Sequence, residues 1–124
     1  LQSDFWSGDR LDDSLLDWVA GLRGRYRTAI LSNAWGGARK FLTSQPKVVA
    51  AFEELVISAE EGLMKPQPEI YERAIRRLNV RPGEAVFVDD MLENVEAARQ
   101  AGLAAIQFRA GLDVPEALKP FGVA

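Results

Sequence analysis

Short, largely apolar runs, Ala29-Ile30-Leu31, Leu55-Val56-Ile57-Ser58 and Ala85-Val86-Phe87-Val88, with a last strand-like run from Ala104 to Phe108, stand between stretches whose apolar residues recur at helical spacing. A continuous apolar run suits a strand covered on both faces, and strands that alternate with helices build a parallel sheet joined by right-handed crossovers. The intervening stretches carry helix signals. Asp12 or Asp13 can cap a helix that places Leu15, Leu16, Val19 and Leu22 on one face and stops near Arg23 and Gly24. Gly36-Gly37 opens a stretch carrying Phe41 and Leu42, Pro46 interrupts it, and Val48, Val49 and Phe52 resume the apolar face. Glu60, Glu61, Gly62 and Lys65 read as a loop. Pro66 and Pro68 then suit the start of a helix bearing Ile70, Ala74, Ile75 and Leu78. Leu92, Val95 and Ala98 line another helix that ends at Gly102, and Val114 to Leu118 form a closing one. The expected class is α/β, a Rossmann-like parallel sheet with helices on both faces.

At 124 residues the chain has room for about one core. A hydrophobic share of 48% with 27% charged residues is that of a globular protein. The net charge of −3 gives no electrostatic reason to bind nucleic acid. Arg23, Arg25 and Arg27 lie at an expected helix end, where they read as solvated capping charge. Cysteine and histidine are both absent, which removes thiol nucleophiles, disulfides, histidine bases and the usual zinc ligands. Carboxylates, hydroxyls and lysine remain. No apolar run approaches the roughly 18 residues of a membrane span, and no secretory leader is evident, so the cytoplasm is the expected location and no membrane partner is expected.

The densest chemical signal follows the third apolar run. Asp89 and Asp90 end it, with Asn94 four residues beyond. Ligands of open α/β sheets bind beyond the carboxyl ends of the strands, and two neighbouring acids there need a cation to hold both charges, so Mg²⁺ is the expected ligand. The same residues also suit a turn and helix cap. Ser32-Asn33 closes the first run. They are ordinary turn residues, or else donors to a phosphate where a helix begins. Lys65 reads either as surface charge or as fixed positive charge for a transferring phosphoryl group. Trp35 and Arg39 either face a substrate or pack the following helix, and packing is favoured.

Taken together, Ile30-Leu31-Ser32-Asn33-Ala34, Gly62-Leu63-Met64-Lys65-Pro66, and Val86-Phe87-Val88-Asp89-Asp90 with Asn94 and Ala101-Gly102 resemble the haloacid dehalogenase-like hydrolase superfamily. The likeness is to its phosphatase branch, whose last motif is Asp-Asp-x-x-x-Asn, and covers the chain from Phe5 onward. It implies a Mg²⁺-dependent phosphatase that acts through an aspartyl-phosphate on a small phosphorylated metabolite. By the same resemblance, Ser32 and Lys65 would be catalytic. Ser32, Asn33 and Lys65 would bind substrate, Asp90 and Asp89 would serve the metal, and Asn94 would orient them from just outside its shell. Residues 1–24 would be the return from a cap and the first core helix, and 25–124 the carboxyl-terminal part of the hydrolase core.

The departure is the family's first motif, Asp-x-Asp, which supplies the nucleophile and the acid/base from a strand at the sheet's centre. No Asp-x-Asp occurs here. Asp4, Asp9, Asp12, Asp13 and Asp17 lie in or near an expected helix start with no apolar strand before them. The reading is therefore a core without its central first strand and most of its cap, inactive alone and marginal because two strand edges would be bare. The missing amino-terminal segment would be its natural partner. A 2-haloacid dehalogenase, or a non-catalytic fragment that needs a partner chain, are the alternatives.

Overall fold

The computed structural model describes residues 2–4 and 12–123. Asp9 and Phe5, which entered the sequence reading, lie outside the described residues. Five parallel strands form one sheet in the order β3-β2-β1-β4-β5: β1 (Gln2–Asp4), β2 (Ala29–Ser32), β3 (Glu54–Ile57), β4 (Val86–Asp89) and β5 (Ala104–Gln107). Each of the four runs expected to be strands is one. Helices α1 (Asp13–Leu22), α2 (Ala38–Thr43), α3 (Pro46–Ala51), α4 (Ser58–Glu61), α5 (Pro68–Leu78), α6 (Leu92–Gln100) and α7 (Val114–Leu118) fill the connections.

Neighbouring residues of a strand serve opposite layers, which is why the runs carry no polar alternation. Leu31, Val56, Phe87 and Ala105 point to the side of α5 and α6, where they join Ile70, Tyr71, Ala74, Val95 and Ala98. Ile30, Leu55 and Ile57 point the other way and meet Leu16, Val19, Leu42 and Val48 from α1, α2 and α3. Val86 and Val88 pack on that same side against Leu22, Val114 and Leu118. Tyr71 and Phe87 meet edge to face at 5.4 Å, a favoured aromatic geometry, and the Tyr71 hydroxyl donates to the Asn94 carbonyl at 3.0 Å. That bond ties α5 to α6 inside the core.

The family's apolar first strand is absent from the sequence, yet its slot is not empty. Gln2–Asp4 lies between β2 and β4, with Gln2, Ser3 and Asp4 in register with Phe87, Val88 and Asp89, and Gln2 also with Ala29. Asp4 thus ends a strand and does not begin a helix. The segment is polar and only three residues long, so hydrophobic periodicity gives no sign of it; pairing of its backbone with two buried neighbours accounts for its conformation. The expected bare edges are closed to that extent. Two further differences are local. The loop read through Glu60 and Glu61 is helical as α4, and Phe41, Val49 and Leu92, placed on apolar faces by their spacing, are about half exposed. Among the arginines, the Arg23 side chain donates to the carbonyls of Val49 and Ala50 at the end of α3, while its backbone N–H and the Arg25 side chain donate to the Ala20 and Gly21 carbonyls at the end of α1.

Candidate active site

All of the candidate residues lie at one end of the sheet, and the strand order explains why. The chain leaves β1 toward β2 and β3 on one side, then returns to β4 and β5 on the other. At such a reversal the connections diverge and leave a crevice beyond the strand ends. Ser32 is the last residue of β2 and Asp89 the last of β4.

Ser32 is buried at 1% exposure, and its Oγ has no hydrogen-bond partner among the described residues. A buried hydroxyl without a partner costs roughly 1–3 kcal/mol, so this atom is set up for a ligand. Asn33 follows it. Its Oδ1 accepts from the Lys65 backbone N–H at 2.8 Å, and its Nδ2 donates to the Lys65 carbonyl at 3.0 Å. The serine strand and the lysine loop are thereby joined.

Lys65 reaches the crevice along a loop fixed at its base. Gly62 ends α4 in the left-handed region, at φ 71°, and turns the chain toward the sheet edge. The Arg39 guanidinium holds the Glu60 carboxylate through Nε and Nη2, and Nη2 also donates to the Leu55 carbonyl at 2.9 Å. Hydrogen bonding to Glu60 raises the Arg39 pKa, and the reciprocal bond holds Glu60 below the usual carboxylate range. Glu61, whose side chain is 3% exposed, accepts from both Arg73 and Arg77 of α5. Arg39 therefore packs and pairs, whereas Trp35 is 56% exposed with its ring 6.4 Å from that of Phe41.

The Lys65 ammonium donates to Asp89 Oδ2 at 2.8 Å, with both side chains buried, and lies 5.8 Å from the Phe87 ring centroid. Asp89 Oδ2 also accepts from Asn94 Nδ2 at 3.3 Å, and Oδ1 accepts from the Met91 N–H at 2.8 Å. Asp89 is thus tied to the lysine, to the first turn of α6 and to its own turn. Asp90 is half-buried. Its carbonyl accepts from Gln107 Nε2 at 3.1 Å, and Gln107 Oε1 accepts from Arg109 at 3.0 Å. Asp90 also lines a cleft of about 1580 Å³ whose walls include Leu16, Phe41, Lys47, Phe108 and Arg109.

This donor chemistry fits Mg²⁺, which prefers hard oxygen ligands, keeps several waters and needs only one or two protein carboxylates beside a phosphate. No three acids gather as a ready-made cage among the described residues. With both Asp89 oxygens engaged by N–H donors, Asp90 is the better placed of the pair to face a cation, and Asp89 to anchor the lysine. Ser32, Asn33, Lys65, Asp89, Asp90 and Asn94 are all brought to this end of the sheet. Sequence reasoning passed over Glu60, Glu61 and Gln107. The acids were legible only as loop charge, and Gln107 sat inside an expected strand with nothing to mark its side chain.

Comparison with known proteins places the chain in a family. A family model for haloacid dehalogenase-like hydrolases matches residues 1–102. The chain is 30% identical over 116 residues to a D-ribitol-5-phosphate phosphatase of Bacteroides thetaiotaomicron, covering 87% of this chain and 56% of that protein. It is 46% identical over 61 residues to a glyceraldehyde 3-phosphate phosphatase of Methanopyrus kandleri, covering 48% of this chain and 26% of that one. The chain therefore spans little more than half of the first relative and about a quarter of the second. Among solved structures, a HAD-family enzyme of Bacteroides thetaiotaomicron in complex with magnesium and inorganic phosphate superposes with a TM-score of 0.76 at 27% identity, over 86% of this chain and 57% of that one. An uncharacterized protein of Corynebacterium glutamicum gives a TM-score of 0.78 at 25% identity, over 99% of this chain and 94% of that chain. With a family model matching residues 1–102 and these relatives and solved structures in agreement, the chain belongs to the haloacid dehalogenase-like hydrolases.

Proposed function

We propose that this chain is the greater part of the catalytic core of a Mg²⁺-dependent phosphomonoesterase that acts through an aspartyl-phosphate on small phosphorylated metabolites. The observation that carries the reading is the partnerless, buried Ser32 Oγ at the same sheet edge as the Lys65 ammonium. Together they form a site for an oxyanion. Ser32 would donate its hydroxyl proton to a phosphoryl oxygen, and Lys65 would neutralise charge on the phosphoryl group as it transfers. Asp89 and Asn94 would hold the ammonium in place. Asp90 would ligate Mg²⁺, with Asp89 just outside the shell; the bound cation supplies Lewis-acid stabilisation of the phosphate oxygens.

The nucleophile would be a carboxylate at the end of the central strand. Its oxygen would form a bond to phosphorus while the bond from phosphorus to the leaving-group oxygen breaks, and water would then hydrolyse the acyl phosphate. The segment in that slot, Gln2-Ser3-Asp4, contains one acid where the family's first motif has two. The chain alone would therefore be inactive, and a polypeptide bearing an apolar Asp-x-Asp strand would displace Gln2–Asp4 and complete the site. A 2-haloacid dehalogenase is the weaker reading, because an alkyl halide brings no phosphate charge for a carboxylate-held cation to balance.

Phosphate release from p-nitrophenyl phosphate tests this. The chain alone should show none, and the chain mixed with an Asp-x-Asp strand polypeptide should turn over in millimolar Mg²⁺ and stop in EDTA. Turnover indifferent to chelation, or turnover by the chain alone that survives Asp4→Asn, would overturn the proposal.

A further inference from the structure

Asn33 makes an uncommon kind of contact with the lysine loop. Its planar amide closes on both backbone groups of one residue, accepting from Lys65 N–H at 2.8 Å and donating to Lys65 C=O at 3.0 Å. A neighbouring strand would offer the same pair of groups, so the side chain substitutes for strand pairing where the sheet has ended. Two bonds to one residue fix its rotation as well as its distance, which a single bond cannot do. The clamps at Glu60 and Glu61 act at the start of the loop, four to five residues upstream, whereas the Asn33 amide acts on Lys65 itself. Beyond Lys65 Cα the side chain is a flexible four-carbon stem, so the ammonium reaches Asp89 in one geometry only if the backbone beneath it is held.

We infer that Asn33 is a positioning residue that acts through Lys65: its amide sets the Lys65 backbone against the end of β2 and so sets where the ammonium stands relative to Ser32 and Asp89. Asn33, expected at the substrate, would thereby also act on a bound phosphate through the lysine. The inference concerns the resting protein and holds whether or not the phosphatase reading does.

Lysine chemistry reads it directly. The chain has four lysines, and Lys40, Lys47 and Lys119 are exposed whereas Lys65 is buried. Reductive methylation with ¹³C-formaldehyde, followed by peptide mass spectrometry, should label Lys65 far more slowly than the other three. Asn33→Ala should speed labelling of Lys65, and hydrogen exchange of its amide, by about tenfold, the scale expected for the loss of two ordinary hydrogen bonds. Labelling of Lys40, Lys47 and Lys119 and exchange of the Phe87 amide in β4 should not change. Asn33→Asp keeps the acceptor for Lys65 N–H and loses the donor to its carbonyl, so it should fall between the two; should Asn33→Ala not fold, Asn33→Asp is read in the same way. Unchanged Lys65 labelling and exchange in these variants would overturn the inference, as would acceleration shared equally by all four lysines and Phe87.

Discussion

Two parts of the molecule set a lysine against aspartate, and they differ in everything else. At the sheet edge Lys65 meets Asp89 at 2.8 Å with side-chain exposures of 4% and 1%. On the outer surface of α1 and α3, Lys47 stands 3.6 Å from Asp13 and 3.4 Å from Asp17, and all three are open to solvent. Water already solvates the outer trio and salt screens it. The inner pair has given up that solvation, so each charge depends on the other and on the N–H groups of Met91 and Asn94. The lesson is that the same two residue types serve as surface decoration in one place and as a committed part of the architecture in the other.

Removing one member of each pair should separate the two cases most widely. Lys65→Ala leaves the Asp89 carboxylate buried without its cation and should cost about 3–5 kcal/mol in urea unfolding at neutral pH. A loss under about 1 kcal/mol would mean that water enters the site and that the contrast with Lys47 is one of degree. Next in size is the loop base: Glu61→Ala strands Arg73 and Arg77 and should cost about 1.5–3 kcal/mol, since its hydrogen bonds are charge-assisted. The third prediction concerns acid. Glu60 has a folded pKa below its unfolded value, so its contribution is fully present above the unfolded pKa of about 4.3 and is lost as pH falls through the folded value. Tm measured from pH 7 downward should therefore fall more for the native chain than for Glu60→Gln below about pH 4.3, and parallel curves would remove Glu60 from the clamp. The smallest effect belongs to the surface. Lys47→Ala should leave the urea midpoint almost where it was, and any shift should shrink further in 1 M salt.

What the sequence revealed, and what it hid, follows the same division between burial and local pattern. β2, β3 and β4 were legible because burial on both faces demands mostly apolar side chains, β5 because its short apolar stretch follows a helix stop at Gly102, and α5 because Ile70, Ala74, Ile75 and Leu78 recur on one face. β1 was not, because a polar three-residue strand is held by backbone pairing that depends on β2 and β4 being in place. α4 is four residues long, too short to display a period. At the site, the residue types of Ser32, Lys65, Asp89 and Asp90 were readable as chemistry, but the bonds among them were not. Asn33 and Lys65 are far apart along the chain, and only the closed sheet brings the asparagine amide to the lysine backbone. Glu61 read only as part of a loop because its two arginine partners lie on the next helix, 12 and 16 residues further along the chain.

The central place of β1 has a mechanical consequence. One half of the sheet, β2 with β3, meets the other, β4 with β5, through β1, whose described residues pair with Phe87, Val88 and Asp89 on one side and with Ala29 on the other. The helical layers also join the halves, since the cluster around α5 and α6 draws Leu31 and Val56 from one half and Phe87 and Ala105 from the other, and α1 on the opposite face packs Leu16 and Val19 against Ile30 and Leu22 against Val86 and Val88. Loss of the amino-terminal residues would unzip that junction while the helical layers kept the halves stitched together, so trimming by a protease should give a loosened protein with one melting event and not two separate pieces.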